Sequence, residues 1–363
     1  MTLEEKLSLI KQVGEEIITE EDLASLLKSE EKLIAYDGFE PSGQMHIAQG
    51  ILRTINVNKM IKAGVKFKML VADWHAYANN KMGGDLEKIK TTGKYFIEVW
   101  RASGMDLDNI EFVWASDLVK KDDYWKLVLQ IARTNTLNRF IRTAEIMGRE
   151  ESMDLTAAQI IYPCMQCADI FMLGAKITQL GMDQRKVNML AREIGPQLGF
   201  WKPVVVSHHM LMGLGQPATE TDDKTKRTIE LKMSKSKPDS SIFMTDTTED
   251  IKRKMNKAWA PEGVVEENPV LEYCKYIIFE SLDKLGMNEI TIDRPEKWGG
   301  PMKITSYDEL VKKYAAKEIH PQDLKNAVAG LLDKLVEPVR RHFEENPEAK
   351  KLLQEVQSYQ VTR

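Results

Sequence analysis

The chain has 363 residues and only three cysteines. Cys164 and Cys167 form a Cys-x-x-Cys and Cys274 stands alone, so no second pair completes a zinc site. An odd count without a disulfide framework fits a reducing compartment. Helical spacing puts Cys164 and Cys167 on one face, which suits two small core residues better than a redox pair. Long apolar runs are also missing: none approaches the roughly 18 residues that span a membrane. The N-terminus, MTLEEKLSLIKQVGEEIITEEDL, is acidic and amphipathic. It lacks the basic start and apolar block of a signal peptide and the arginine-rich character of a transit peptide. The expected compartment is therefore the cytosol. Net charge is small, −4, so any nucleic-acid partner has to be met by local patches rather than by a global field. Internal repeats and low-complexity tracts are absent, and no nucleophile–base pair stands out.

The length suggests two domains. Residues 2–29 read as helical, with Leu7, Ile10, Val13, Ile17 and Ile18 at roughly helical spacing and a cap at Thr19. Short apolar runs then alternate with helical stripes. Strands are expected near 32–36, 65–73, 110–115, 176–180 and 203–207. Helices are expected over 46–62, 86–103, 118–150, 157–174 and 181–194. That alternation predicts an α/β fold with a parallel, doubly wound sheet, whose ligands sit beyond the carboxyl ends of the strands. A polar, turn-rich stretch over 213–240 reads as a mobile loop. From residue 247 onward the pattern is helical, predicting a second, mostly α-helical domain. The expected boundaries are 1–245 and 246–363, with N-terminal helices over 1–30.

Two segments have the chemistry of a phosphate site. Lys232-Met233-Ser234-Lys235-Ser236 sets two ammonium groups three residues apart with hydroxyls between them, able to follow a phosphate as charge develops on it. Far upstream, Gly38-Phe39-Glu40-Pro41-Ser42-Gly43-Gln44-Met45-His46 runs from a strand into a helix start. Gly38 and Gly43 allow close approach of backbone, Pro41 stiffens the turn, and free N–H groups at a helix start favour phosphate. His46 falls in the first turn, able to donate to a phosphate oxygen. Each segment alone is an ordinary polar loop; the two together, in this order, point to nucleotide chemistry. A third feature is a polar stripe on an apolar helix. Tyr162, Gln166 and Asp169 fall at i, i+4 and i+7, beside Ile160, Ile161, Ile170 and Phe171. By itself such a stripe is either a buried polar network or the wall of a pocket.

Over nearly its whole length the sequence resembles the tyrosyl-tRNA synthetases of the archaeal/eukaryotic type, in particular the plant- and protist-like branch. The resemblance rests on YDGFEPSG (36–43), ADWHAY (72–77), YPCMQCAD (162–169), GMDQRKVNMLARE (181–193), KMSKS (232–236), RPEKWGG (294–300) and HPQDLKNAV (320–328). It implies a class I Rossmann-type domain followed by an all-α anticodon-binding domain. The implied reaction is ATP-dependent attachment of L-tyrosine to tRNA(Tyr) through a tyrosyl-adenylate. It implies a homodimer, and Mg2+ accompanying ATP; no carboxylate cage or other dedicated metal site is evident. It also implies that Tyr36 and Asp169 hold the phenol hydroxyl, and that Tyr162, Gln166 and Gln184 hold the ammonium. ATP is then met by Gly38, Glu40, Gly43, His46, Met233, Ser234, Lys235 and Ser236, with His46, Gln49, Lys232 and Lys235 as the catalytic set. Arg185 and Lys186 resemble positions that meet the acceptor stem; Trp298, His320, Pro321 and Asp323 resemble the anticodon contacts. Arg133, Arg139, Arg142 and Arg149 add basic positions, in a stretch that also resembles part of the dimer interface. The first signature departs from the family's His-x-Gly-His form: it reads His46-Ile47-Ala48-Gln49. Ala48 adds a methyl where adenine would lie against backbone, and Gln49 brings a neutral donor. Two other readings stay open: a tryptophanyl-tRNA synthetase, and a catalytically silent synthetase-like binding protein. An indole offers its donor at a different place from a phenol, and a silent protein need not keep both the lysine segment and the polar stripe.

Overall fold

The computed structural model describes residues 1–29, 32–148, 154–217, 227, 231–233 and 238–359. A six-stranded sheet forms the centre. Its strands are β1 (Gly14–Ile18), β2 (Ile34–Phe39), β3 (Lys66–Val71), β4 (Ile110–Trp114), β5 (Ile177–Thr178) and β6 (Val204–His208), in the order β1-β6-β5-β2-β3-β4. All neighbours from β6 to β4 pair in parallel, and β1 adds to β6 antiparallel at the edge. Strand order reverses between β2 and β5, which is the switch point of a doubly wound sheet and opens a crevice at the carboxyl ends of those strands.

Helices cover both faces. They are α1 (Leu3–Val13), α2 (Glu20–Lys28), α3 (Arg53–Lys62), α4 (Asp73–Ala78), α5 (Leu86–Ala102), α6 (Ala115–Leu118), α7 (Asp122–Thr134), α8 (Leu137–Thr143), α9 (Ala157–Met172) and α10 (Arg185–Gln197). The period of two along β3 shows how the faces differ. Phe67, Met69 and Val71 enter one apolar cluster with α1, α3 and α5, whereas Leu70 enters another with α7, α9 and α10. Tyr36 of β2 faces the second cluster, toward α9.

The C-terminal part holds α11 (Thr248–Lys257), α12 (Pro269–Tyr273), α13 (Tyr307–Ala315), α14 (Pro321–Glu345) and α15 (Pro347–Ser358). Its buried residues, among them Leu324, Leu335, Val339 and Phe343, join the first sheet cluster without a break. Ring contacts cross the join: Tyr95 of α5 and Phe343 of α14 lie 5.4 Å apart.

Four sequence expectations change. The helix expected over 2–29 stops at Gly14, and Gly14–Ile18 is a strand. Ile17 and Ile18 fit helical spacing, but as β-branched residues they also suit an edge strand, and the open edge of β6 decides the outcome. The helix expected from residue 46 opens with a π-helical turn, Ala48–Leu52. There the His46 carbonyl accepts from both Gln49 and Gly50. The segment expected as one helix over 118–150 breaks at Asn135 and Thr136 into α7 and α8. The C-terminal part, expected to lack strands, carries a two-stranded ribbon, β7 (Ile290–Ile292) with β8 (Met302–Ile304). Three alternating residues are too few to register as a strand pattern.

Candidate functional site

The stripe on α9 lies where the helical spacing places it. A capping box starts the helix: Thr156 accepts from Gln159 N at 3.4 Å, and Gln159 Oε1 accepts from Thr156 N at 3.0 Å. One turn later Tyr162, Gln166 and Asp169 point inward, all buried. Gln166 donates to Gln184 Oε1 at 3.1 Å, and Gln184 donates to the Ile146 carbonyl at 3.0 Å. The Tyr162 ring meets His75 edge-on at 5.1 Å. Burial first, and then the neighbouring Glu40 carboxylate, hold the Tyr162 hydroxyl well above its ordinary pKa, so it stays a donor.

Asp169 is fully buried and held from two sides. Tyr124 of α7 donates to Oδ1 at 3.0 Å, and His75 Nε2 of α4 stands 2.9 Å from Oδ2. Burial works against a charge on His75, yet the Asp169 carboxylate prevails and raises its pKa. Tyr36 faces this group from β2. Its ring is wholly buried, and its hydroxyl has Gln166 beside it but makes no hydrogen bond of full geometry. Burial and then Asp169 keep that hydroxyl protonated. Gln166 Oε1 is likewise buried without a hydrogen bond of full geometry. Under-satisfied buried polar atoms are costly, so two of them facing one place mark a site built for a polar ligand. The structure thus gathers Tyr36, Tyr162, Gln166, Asp169 and Gln184. It also adds Tyr124 and a supporting role for His75, which holds Asp169 from α4. Tyr124 sits 45 residues from Asp169 in an ordinary amphipathic helix, and nothing local marks it.

The glycine segment leaves β2 at the switch point. Buried Asp37 pairs with the partly buried Arg53, and Gly38 N donates to Asp37 Oδ1 at 2.7 Å. Burial lowers the Arg53 pKa to about 10. Glu40 accepts from Asn79 at 3.0 Å through both oxygens and lies 3.6 Å from Lys81. Gly43 has φ +59°, a conformation that favours glycine. His46 is buried and forms an antiparallel bridge with Phe243, beyond the lysine segment. Gln44 accepts from Thr245 at 3.1 Å, so the glycine segment touches the chain beyond the lysine segment through backbone and side chain. Gly50 packs under Met244, whose Sδ would lie 2.4 Å from an added Cβ. Gln49 presents a buried Oε1 without a partner.

Lys232 pairs with Asp183 Oδ2 at 2.8 Å, and Met233 is buried. Ser234, Lys235 and Ser236, with most of the loop expected over 213–240, lie outside the described residues. Arg185 pairs with Glu16 at 2.9 Å and Lys186 pairs with Glu145, each cation remaining about two-fifths exposed (41% and 40%). Arg139 pairs with Glu193, and Arg149 lies outside the described residues. The cysteines at 164 and 167 are buried free thiols, and burial raises both pKa values. In the C-terminal part Trp298 is 67% exposed. His320 caps α14, accepting from Gln322 N at 3.2 Å, with Pro321 at the first helical position and Asp323 in the first turn. Arg294 donates to the carbonyls of Gly300 and Glu318, tying the Trp298 loop to the chain just before His320.

Residues 28–337 match the family model of tRNA synthetases class I (W and Y). Tyrosine–tRNA ligase 1, cytoplasmic, of Arabidopsis thaliana is 49% identical over 364 residues, spanning 99% of this chain and 90% of that protein. The tyrosine–tRNA ligase of Thermococcus kodakarensis is 42% identical over 375 residues, spanning 98% of this chain and 99% of that one. The tyrosyl-tRNA synthetase from Pyrococcus horikoshii, solved in complex with L-tyrosine, aligns with a TM-score of 0.90 at 38% identity over 98% of this chain and 100% of that one. The chain belongs to the class I tRNA synthetases of the tryptophan and tyrosine group.

Proposed function

We propose that this class I tRNA synthetase grips the phenol of L-tyrosine between Tyr36 and Asp169 at the switch point of its sheet. The protein is a tyrosine–tRNA ligase. The observation that carries the pocket is the buried Tyr36 hydroxyl, which has only Gln166 beside it, makes no hydrogen bond of full geometry, and faces a carboxylate held by Tyr124 and His75. A phenol entering there donates to Asp169 and accepts from Tyr36. Tyr162, Gln166 and Gln184 then meet the ammonium, the Gln166 Oε1 gaining the donor it lacks.

Two steps follow. The tyrosine carboxylate oxygen attacks the α-phosphate of ATP; the bond to the β-phosphate oxygen breaks, leaving tyrosyl-adenylate and pyrophosphate. A terminal ribose hydroxyl of the tRNA then attacks the acyl carbon, releasing AMP. Neither step uses a protein nucleophile, so the enzyme works by positioning and by stabilising phosphate charge. Gly38, Glu40 and Gly43 shape the turn beside the nucleotide, and His46 donates to a phosphate oxygen. Gln49 takes the place of the usual second histidine as a neutral donor. Lys232 and Lys235, with Met233, Ser234 and Ser236, follow the departing pyrophosphate. Magnesium, accompanying ATP, would supply neutralising charge to its phosphates. Among the described residues no group of three or more His, Cys, Asp or Glu is placed to hold a metal ion.

The tRNA meets the protein at two ends. Arg185 and Lys186, exchanging Glu16 and Glu145 for nucleic acid, contact the acceptor stem. Trp298 offers an exposed plane for an unstacked base, and Asp323 accepts from the amino edge of guanine, beside His320 and Pro321. The catalytic part is 1–245 and the anticodon part 246–363. Trp125, Leu129, Leu137 and Ile161 are exposed on α7, α8 and α9, with α7 and α8 each packed on α9. We assign that apolar face to a second copy of the chain, as a homodimer. No described helix is long and apolar enough to cross a membrane, and the Arabidopsis relative is named cytoplasmic; we place this enzyme in the cytoplasm too. The test is ATP–pyrophosphate exchange with tyrosine, tryptophan and phenylalanine. Turnover with tyrosine alone is expected; equal turnover with phenylalanine would refute the pocket.

A further inference from the structure

We propose that Glu272, on the C-terminal part, is a positioning residue for Lys232, acting through Met212 and locked in place by His209. This rests on Lys232 serving the phosphate, as argued above.

The geometry is continuous from one part of the fold to the other. Glu272 lies on α12, and its Oε1 accepts from the Met212 backbone N–H at 2.7 Å. The adjacent Tyr273 hydroxyl donates to the Met212 carbonyl at 2.8 Å. Both backbone groups of Met212 are thus held by one helix of the C-terminal part. Met212 in turn forms an antiparallel bridge with Lys232. On either side of that bridge, Gly213 N donates to Leu231 O at 2.8 Å and Met233 N to Leu211 O at 2.9 Å. The lysine backbone is therefore stitched to a short segment that α12 anchors.

His209 fixes the anchor. Its Nε2 meets Glu272 Oε1 at 2.7 Å and its Nδ1 meets Glu15 Oε2 of β1 at 2.9 Å. Its ring stacks on Tyr276 at 4.2 Å with planes 9° apart. The groups facing it are Glu15 from β1, Glu272, Lys275 and Tyr276 from the segment that α12 begins, and its neighbour His208. Burial opposes a charge on His209, but the two carboxylates outweigh it and lift its pKa to about 9. An imidazolium with both nitrogens donating holds two glutamates at once; the neutral ring can donate to only one.

The test is tyrosine-dependent ATP–pyrophosphate exchange across pH 7 to 10, with thermal melting to confirm folding. Glu272→Ala should lower kcat about tenfold or more while tyrosine KM stays within about twofold, the signature of a misplaced group rather than a lost pocket. Glu272→Gln keeps an acceptor for Met212, so it should retain most of kcat but lose activity at lower pH than wild type. His209→Gln should abolish the difference in activity that wild type shows on either side of pH 9. Lys232→Ala, run in parallel, separates this inference from the reading beneath it. A folded Glu272→Ala enzyme with wild-type kcat, beside an inactive Lys232→Ala enzyme, overturns the inference alone. Wild-type activity in Lys232→Ala overturns the phosphate role of Lys232 itself. Identical pH profiles for wild type and His209→Gln remove the locking role of His209.

Discussion

Lys232 Nζ rests 2.8 Å from Asp183 Oδ2, and Asp183 follows β5, one of the two strands at the switch point of the sheet. The ammonium of the lysine signature is thus neutralised by a carboxylate before any nucleotide enters. On the proposed role of Lys232, phosphate oxygens have to outcompete Asp183 for it. We predict that Lys232→Ala lowers the rate of adenylate formation about 10²-fold or more, the scale of losing one donor aimed at developing charge. Tyrosine affinity, read by equilibrium binding, should not change. A normal single-turnover rate would remove Lys232 from the chemistry.

Gly181 bears on the same pair. An added Cβ there would lie 2.6 Å from Asp183 Oδ1 and 2.5 Å from Met210 Sδ. Gly181→Ala should push Asp183 aside, costing about 1–3 kcal/mol by overpacking. It should also lower kcat for exchange. A variant with wild-type melting and wild-type kcat would show that the notch has slack.

Tyr36 gives an opposed pair of outcomes. Its hydroxyl is buried and makes no hydrogen bond of full geometry, so Tyr36→Phe should leave the free protein as stable as wild type or more stable by about 1 kcal/mol. The same change should weaken tyrosine binding about tenfold, because the substrate loses a donor in a dry site. Calorimetric melting with and without tyrosine reads both. A large loss of stability in the free protein would mean the hydroxyl is already satisfied.

Asp169 should behave otherwise. Tyr124 and His75 already depend on it, so Asp169→Ala should destabilise the free protein by about 3 kcal/mol or more. In the exchange assay it should erase most of the preference for tyrosine over phenylalanine. Retained selectivity in this variant would place the phenol elsewhere.

Two histidines one bond apart in sequence respond to pH with opposite sign. The His209 pKa is raised from 6.5 to about 9, so its contribution to stability is complete below pH 6.5. It is lost as pH rises from there through 9. A shift of that size corresponds to about 3 kcal/mol. The His208 pKa is lowered well below 6.5 by burial, and then by the charge of Arg53. The folded protein keeps His208 neutral, so stability falls as pH drops below 6.5. Urea midpoints at pH 5, 7 and 9.5 should be highest near neutrality. His209→Gln should flatten the alkaline side only.

Much of the pocket was legible because its residues sit on one element. Tyr162, Gln166 and Asp169 share a helix face, and a helical period can be read from spacing alone. Gln184 and Tyr36 came through resemblance, and the fold brings both to that face. Tyr124 and the carboxylate clamp on His209 were not legible, since each joins elements far apart in sequence and neither has a local pattern. Strand β1 was hidden because Ile17 and Ile18 satisfy two periods, and only the exposed edge of β6 chooses between them. The π turn at Ala48–Leu52 has no local pattern either, and its Gly50 packs against Met244, a neighbour from the far side of the lysine loop.

The apolar cluster that runs unbroken from β3 through Tyr95 to Phe343 and Val356 makes the C-terminal helices a poor module for exchange. A chimera joined at residue 246, with helices taken from a distant relative, would meet mismatched side chains along the whole seam. Such hybrids should tolerate transplantation only when the facing residues of α5 travel with them.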